Sequence, residues 1–420
     1  MRIGTAWMAV GICLSAAGGS ACLSAAPPRR LVPAAPPDVR GEFVELSGEW
    51  KLTLNVEGNR STWPHHRWLH WGALVENRFD SQVVLVDGSR LVGRLVAVSS
   101  TSMVIDQNRF DLVTVPRNKV AGIIVRPPVS PAARDRLEDW IERRGGRKAA
   151  VLRLIDGDEL PGRDESEPEL PDPLPLELVT LAWQAEGLAS PIAVRLDKIA
   201  AIRWTPAMHR PAASSAGTLG LDDGSRLAVT RVVADRRRFE CRLACGIVLK
   251  WARDLTEHLV YVRPPARHVR YLSDSPPVDH RHIPLLEQTV PYRLNRSADG
   301  TRLRSGGHLH EFGIGTFGRN RVVYNVPPGA RALSVTVGID AAGDRYSSAI
   351  FRIYVVGQDG TPRQAAASRK MRLRSSPQRL VVGLEGARQV VLIVDTSDWL
   401  DRRDVADWLD ACWIMNGGDE

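Results

Sequence analysis

The sequence predicts an all-β chain, with small β-barrel-like units in series followed by a C-terminal β-sandwich. Twelve tryptophans and 28 prolines stand beside only 6 methionines, a balance that favours short strands and many turns over long helices. An Asp-Gly turn signature recurs three times, and beyond Leu285 short apolar strands alternate regularly with Gly, Pro and Asp turns. At 420 residues the chain exceeds what one hydrophobic core usually serves, so about two to four domains are expected.

Residues 1–26 read as a signal peptide. A single charge at Arg2 precedes an apolar run from Ile3 to Ala17 that breaks at Gly18-Gly19-Ser20-Ala21-Cys22, and the run is short of the roughly 20 residues a membrane span needs. Cys22 raises a lipid anchor, although Gly19 stands where such a signal has Leu. Export places the chain outside the cytoplasm, as a secreted, periplasmic or cell-surface protein. No later segment is apolar enough to span. Residues 27–40, rich in Pro and Ala, read as a linker.

The first β unit is placed at 41–128, the second at 147–210 and the third at 211–270. Leu85-Val86-Asp87-Gly88-Ser89-Arg90-Leu91, Leu154-Ile155-Asp156-Gly157-Asp158-Glu159-Leu160 and Gly220-Leu221-Asp222-Asp223-Gly224-Ser225-Arg226-Leu227 share one signature. Asp-Gly between apolar runs is a strong hairpin signal, because the tight turn favours positive φ. Val115 to Ile123 parallels Val194 to Ile202, and Leu249 to Val262 is a diverged third copy. Only a general likeness to small SH3-like barrels attaches to these units. Between the first two, residues 129–146 read as a short docking helix, with Ser130 as cap, Pro131 in the first turn and Gly145-Gly146 at the end. Leu137, Trp140 and Ile141 fall on its apolar face, and residues 164–175 form an acidic, Pro-rich surface loop.

Net charge is +8, carried mostly by arginines spread along the chain. Nucleic-acid binding needs a clustered basic face and is not expected; a solvated surface suited to acidic glycans or envelope is. His65, His66 and His70 sit among Trp63, Trp68 and Trp71 with few carboxylates near, so packed or exposed histidines are expected rather than a metal site. Cys241 and Cys245 either pair across a tight turn or remain buried thiols.

Residues 271–284 read as a second linker and 285–416 as the last domain. Tyr292 to Ser297, Gly313-Ile314-Gly315-Thr316, Val322 to Val326, Val335 to Asp340, Ala349 to Ile353 and Asp407-Trp408-Leu409-Asp410-Ala411 occur there in one order. In that order they resemble the NPCBM domain, a carbohydrate-binding module associated with family 98 glycoside hydrolases. The resemblance covers about a third of the chain and implies a galactose-binding-like jelly roll, a polysaccharide or other glycan as partner, and a non-catalytic role. Gly313, Gly315, Tyr324, Gly338, Asp340, Phe351, Asp407, Trp408 and Asp410 carry the resemblance and are expected to be structural. Two positions depart from the family pattern: Phe317 and Val405 stand where its histidines are expected.

Sugar binding needs an aromatic face for the pyranose ring and a few fixed polar groups to read hydroxyls. Loops supply them in sandwiches, which nominates Trp399 with Asp398, the run Asp344-Arg345-Tyr346, and His308 with His310. Trp399 either stacks on sugar or caps the core. No cofactor is expected, although Asp407 and Asp410 are carboxylates of the kind a structural calcium uses. No Gly-x-Ser-x-Gly elbow, His-Glu-x-x-His helix or phosphate loop occurs, so catalysis is not expected. The competing reading is an envelope scaffold or adhesin whose module binds protein partners.

Overall fold

The computed structural model describes residues 29–77, 79–98, 101–107, 109–142, 150–162, 180–204, 208–252, 254–283, 289–396 and 404–416. The signal-peptide segment with Cys22, the acidic loop at 164–175, and Asp398 and Trp399 lie outside the described residues. Among the described residues, no helix is long and apolar enough to cross a membrane.

The three Asp-Gly segments fold alike, down to individual hydrogen bonds. The N–H groups of Leu85, Leu154 and Leu221 donate to the carbonyls of Ser89, Asp158 and Ser225 at 2.8–2.9 Å. Gly88, Gly157 and Gly224 donate back to the same three leucines at 3.0–3.1 Å, with φ of 85°, 103° and 90°, a conformation that a Cβ disfavours. The aspartates Asp87, Asp156 and Asp223 each accept the N–H two residues on. Short 3-10 turns at Arg117–Lys119, Leu196–Lys198 and Thr256–His258 precede the strands Val120–Ile124, Ile199–Arg203 and Leu259–Arg263.

Strand pairing does not follow the serial boundaries that the sequence suggested. All three segments belong to one 16-stranded hydrogen-bonded network. Arg226–Ala234, Gly217–Leu221, Leu259–Arg263, Trp68–Gly72, Arg29–Pro33 and Val39–Leu46 are neighbours in that order, and the Ala234–Leu46 pairing closes the ring. The 29–72 segment thus completes a barrel with the third repeat. Gln82–Leu85 and Val120–Ile124 instead join Ile199–Arg203 and Val151–Leu154 of the second. The core shared by this network includes Trp68, Trp71 and Trp183, all fully buried, while His70 packs against Tyr261 with ring centroids 5.6 Å apart.

Both proposed linkers contain strands. Arg29–Pro33 pairs with Val39–Leu46 and Trp68–Gly72, because Leu31 and Val32 supply a buried apolar pair inside an otherwise Pro- and Ala-rich stretch. Val269–Tyr271 pairs with Cys412–Ile414, and Asp279–His282 with Asn320–Val323. The flanking prolines punctuate these short strands rather than abolish them.

The helix is Pro131–Glu142. Its apolar face, Leu137, Trp140 and Ile141, packs on Val84, Ile124 and Ala201. Gly122 permits the approach: a Cβ there would lie 2.8 Å from both Ile141 Cγ2 and the Ile202 carbonyl. Cys241, Cys245 and Cys412 are free thiols, and burial pushes those of Cys245 and Cys412 up to about 12.

The C-terminal part is a sandwich of two antiparallel sheets. One runs Arg293–Leu294, Gly313–Phe317, Val405–Met415, Ala330–Ile339, Gln378–Gly383, with Val269–Tyr271 beside Val405–Met415. The other runs Asp279–His282, Asn320–Asn325, Ala387–Thr396, Ser348–Gly357, Pro362–Ala367. Alternate residues point inward, as the period of a strand requires, and Trp408 meets Phe351 edge-to-face at 5.1 Å in the middle.

Candidate functional site

The residues that carry the family resemblance are built into this scaffold. Phe351, Trp408 and Asp407 are fully buried, and Tyr324 and Asp340 nearly so. Asp340 accepts the N–H groups of Arg304 and Ala342 at 2.8 and 2.7 Å. Asp407 faces Asp340, and burial together with that second carboxyl holds Asp407 well above the usual carboxylate range; Asp340 is raised as well, chiefly by burial. Asp410 is pulled apart from this pair by His310, whose Nδ1 lies 2.8 Å from its Oδ2. Burial raises the Asp410 carboxyl, but His310, His70 and Arg263 together outweigh it and leave the group below its ordinary value. Gly338 lets a hairpin lie on the sheet, since a Cβ would sit 2.3 Å from Ser305 Oγ.

That hairpin, Arg304–Ser305 with His308–Leu309, brings one candidate to the surface. His308 is exposed, and the Ala341 N–H donates to the Arg304 carbonyl at 2.8 Å, joining the hairpin to the loop that carries Asp344, Arg345 and Tyr346. In that loop Asp344 Oδ1 accepts the N–H of Tyr346 at 2.8 Å and of Ser347 at 3.1 Å. The Arg345 guanidinium lies 4.6 Å from the centre of the Tyr346 ring, and the tyrosine is 61% exposed. Asp344 therefore shapes the turn, and Arg345 and Tyr346 are the groups it presents.

His308, Gly307, Leu309 and Ala341 form one wall of a cleft of about 580 Å³ whose other wall is Val75, Phe79 and Val129 from the repeat region. Phe79 is 80% exposed. Its floor is ionic: Arg304 donates to Glu76 Oε1 and to both oxygens of Asp135, each at 2.6 Å, and Arg134 donates to Glu76 at 3.2 Å. His310 is not in this cleft. It lines a separate cavity further along the same junction. Sequence reasoning missed Phe79 and the cleft, because the two walls lie far apart in the chain and no local pattern links them.

The presented side chains Arg345, Tyr346 and His308 stand on a loop and a hairpin joined to a two-sheet antiparallel sandwich. The NPCBM/NEW2 domain family matches residues 268–413, so the sandwich is a domain of that family, and the match takes in the short strand Val269–Tyr271 ahead of the expected start at 285. Alpha-1,3-galactosidase B of Akkermansia muciniphila is 29% identical over 137 residues, 31% of this chain and 16% of that protein. The second CBM51 module with the INT domains of Clostridium perfringens ZmpB, in complex with GlcNAc, is 25% identical with a TM-score of 0.30, covering 44% of this chain and 36% of that one. CBM51 from Clostridium perfringens GH95, in complex with methyl-galactose, is 19% identical with a TM-score of 0.30, covering 34% of this chain and 99% of that one.

Proposed function

We propose that this chain is an exported, non-catalytic carbohydrate-binding protein that holds an extracellular or cell-envelope polysaccharide through its C-terminal module. The observation that carries the reading is the match of residues 268–413 to the NPCBM/NEW2 domain. The exposed Tyr346 beside Arg345, and the cleft between Phe79 and His308, supply aromatic faces next to polar groups, as ring stacking and hydroxyl recognition require. Trp399 and Asp398 belong to the same proposal from sequence alone, and export rests on residues 1–26.

The test is a glycan array probed with the mature full-length chain, with the variants Tyr346→Ala, Phe79→Ala and Trp399→Ala beside it. Binding that a soluble sugar competes away, weakened at least tenfold by one of these variants without loss of the fold, supports the reading. Silence on the array with clean capture of an envelope protein would establish the scaffold instead. Release of new reducing ends from the bound glycan would show an enzyme.

A further inference from the structure

The cavity that His310 lines has a volume of about 250 Å³ and is walled by the repeat region on one side and the module on the other. Five arginines face it: Arg210, Arg226 and Arg263 from the repeats, Arg296 and Arg302 from the module. The two acidic side chains on its lining are already committed to protein donors. Glu311 accepts from Arg263 Nε at 2.9 Å and from the Thr218 hydroxyl at 3.1 Å. Asp87 accepts the N–H groups of Ser89 and Cys245 at 2.9 and 2.8 Å.

Behind the lining the carboxylates gather mostly on Arg302, which meets Asp135, Glu138 and Glu142. Arg296 pairs with Asp139. Glu142 serves Arg90, Arg210 and Arg302 together, and Glu138 serves Arg90 and Arg302. Arg226 has no hydrogen-bond or ion-pair partner for its guanidinium among the described residues, and the charged groups that act on it are Arg302, Arg90, Glu311 and Arg210. Burial, reinforced by those three arginines, brings its guanidinium down to about 9. His310 adds an Nε2 that is buried without a partner. A half-buried cation among like charges is costly unless something negative sits beside it.

We propose that this cavity is an oxyanion site, which takes a sulfate, phosphate or carboxylate group among Arg226, Arg302 and Arg210. The planar guanidinium fork matches two oxygens of such a group. The volume equals roughly eight waters at ~30 Å³ each, enough for the anion to arrive attached to a saccharide ring. Because both regions contribute arginines, an occupant ties the repeats to the module. This site is separate from the Phe79–His308 cleft and does not rest on the sugar reading.

The experiment titrates the full-length chain by calorimetry with sodium sulfate, sodium phosphate, galactose 6-sulfate and glucuronate, each against sodium chloride at matched ionic strength. The expected result is saturable binding of at least one oxyanion and none of chloride. Arg226→Gln should lower that affinity at least tenfold, yet melt no earlier than the parent in chloride, since it removes an uncompensated charge. Arg210→Gln, at a half-exposed position, should lower it at least threefold and carries the test if Arg226→Gln does not fold. A sulfated sugar bound at least tenfold more tightly than inorganic sulfate assigns the anion to a glycan; equal affinity assigns it to the free ion. No saturable binding in any arm, or unchanged affinity in the folded arginine variants, would overturn the proposal.

Discussion

Phe317 and Val405 stand directly opposite one another on the neighbouring antiparallel strands Gly313–Phe317 and Val405–Met415. The resemblance leads one to expect a histidine at each of these positions, and the register sets an apolar pair there instead. Val405 is 2% exposed and Phe317 half-buried. Val405→His alone should destabilise the module by about 1–3 kcal/mol, the usual cost of an unpaired buried polar group in proteins, and Phe317→His by less. Urea unfolding of both variants checks this; equal stabilities would mean that the site is wetter than its burial indicates.

Trp408→Ala should cost about 3–5 kcal/mol, as truncation of a buried large aromatic does, and should remove the sandwich's cooperative melt. Tyr346→Ala should stay within about 0.5 kcal/mol of the parent, as exposed substitutions do. Circular dichroism melts separate the two, and a large loss at Tyr346 would make it a packing residue rather than a presented one.

The Asp340–Asp407 pair gives stability a defined pH slope. The folded chain keeps a proton on this pair that the unfolded chain releases above about pH 4. This contribution therefore weakens as pH rises from about 4 through neutrality. Asp407→Asn should melt at or above the parent temperature at pH 8, with the difference closing towards pH 4. A difference that is constant across that range would mean that the raised Asp407 carboxyl does not set the slope.

Asp135 holds the helix to the module, accepting both Arg304 Nη groups and the Arg302 N–H. Asp135→Ala should cost about 3–5 kcal/mol, because it breaks a buried ion pair and leaves Arg304 with Glu76 alone, and hydrogen exchange should rise first in the hairpin Arg304–Leu309. Acid acts on the same contact. Glu142 is held down at about 2 by Arg210, Arg90 and Arg302 against the opposing effect of burial. Its contribution is present above about pH 4.5 and lost as pH falls towards 2. Helix protection measured at pH 5 and pH 2.5 reads this directly.

The strand alternation around Trp408 and Phe351 and the Asp-Gly turns were legible because each depends on residues a few positions apart. Arg29–Pro33 was not, since two apolar side chains between prolines make too short a signal. Nor was the role of the helix. Leu137, Trp140 and Ile141 marked a docking face, but no local pattern shows that Asp135, Glu138, Asp139 and Glu142 are set by the fold against Arg296, Arg302 and Arg304. Phe79 was not legible for the same reason: its cleft exists only when residues near 79, 129, 308 and 341 meet.

The barrel closure between Val39–Leu46 and Arg226–Ala234 also sets an order of assembly. Beyond their pairings with one another, the strands at 29–72 meet the rest of the ring at residues 217–263, whereas those at 82–124 are completed by residues 151–203. Closing the wider loop carries the larger entropic cost, and pairings so distant in sequence form late. A chain emerging from its N-terminus would hold its first strands open, with Trp68 and Trp71 uncovered, while the middle of the repeat region consolidates. The ring would shut only once residue 263 has arrived, leaving the earliest-made segment as the last part of the repeat region to become protected.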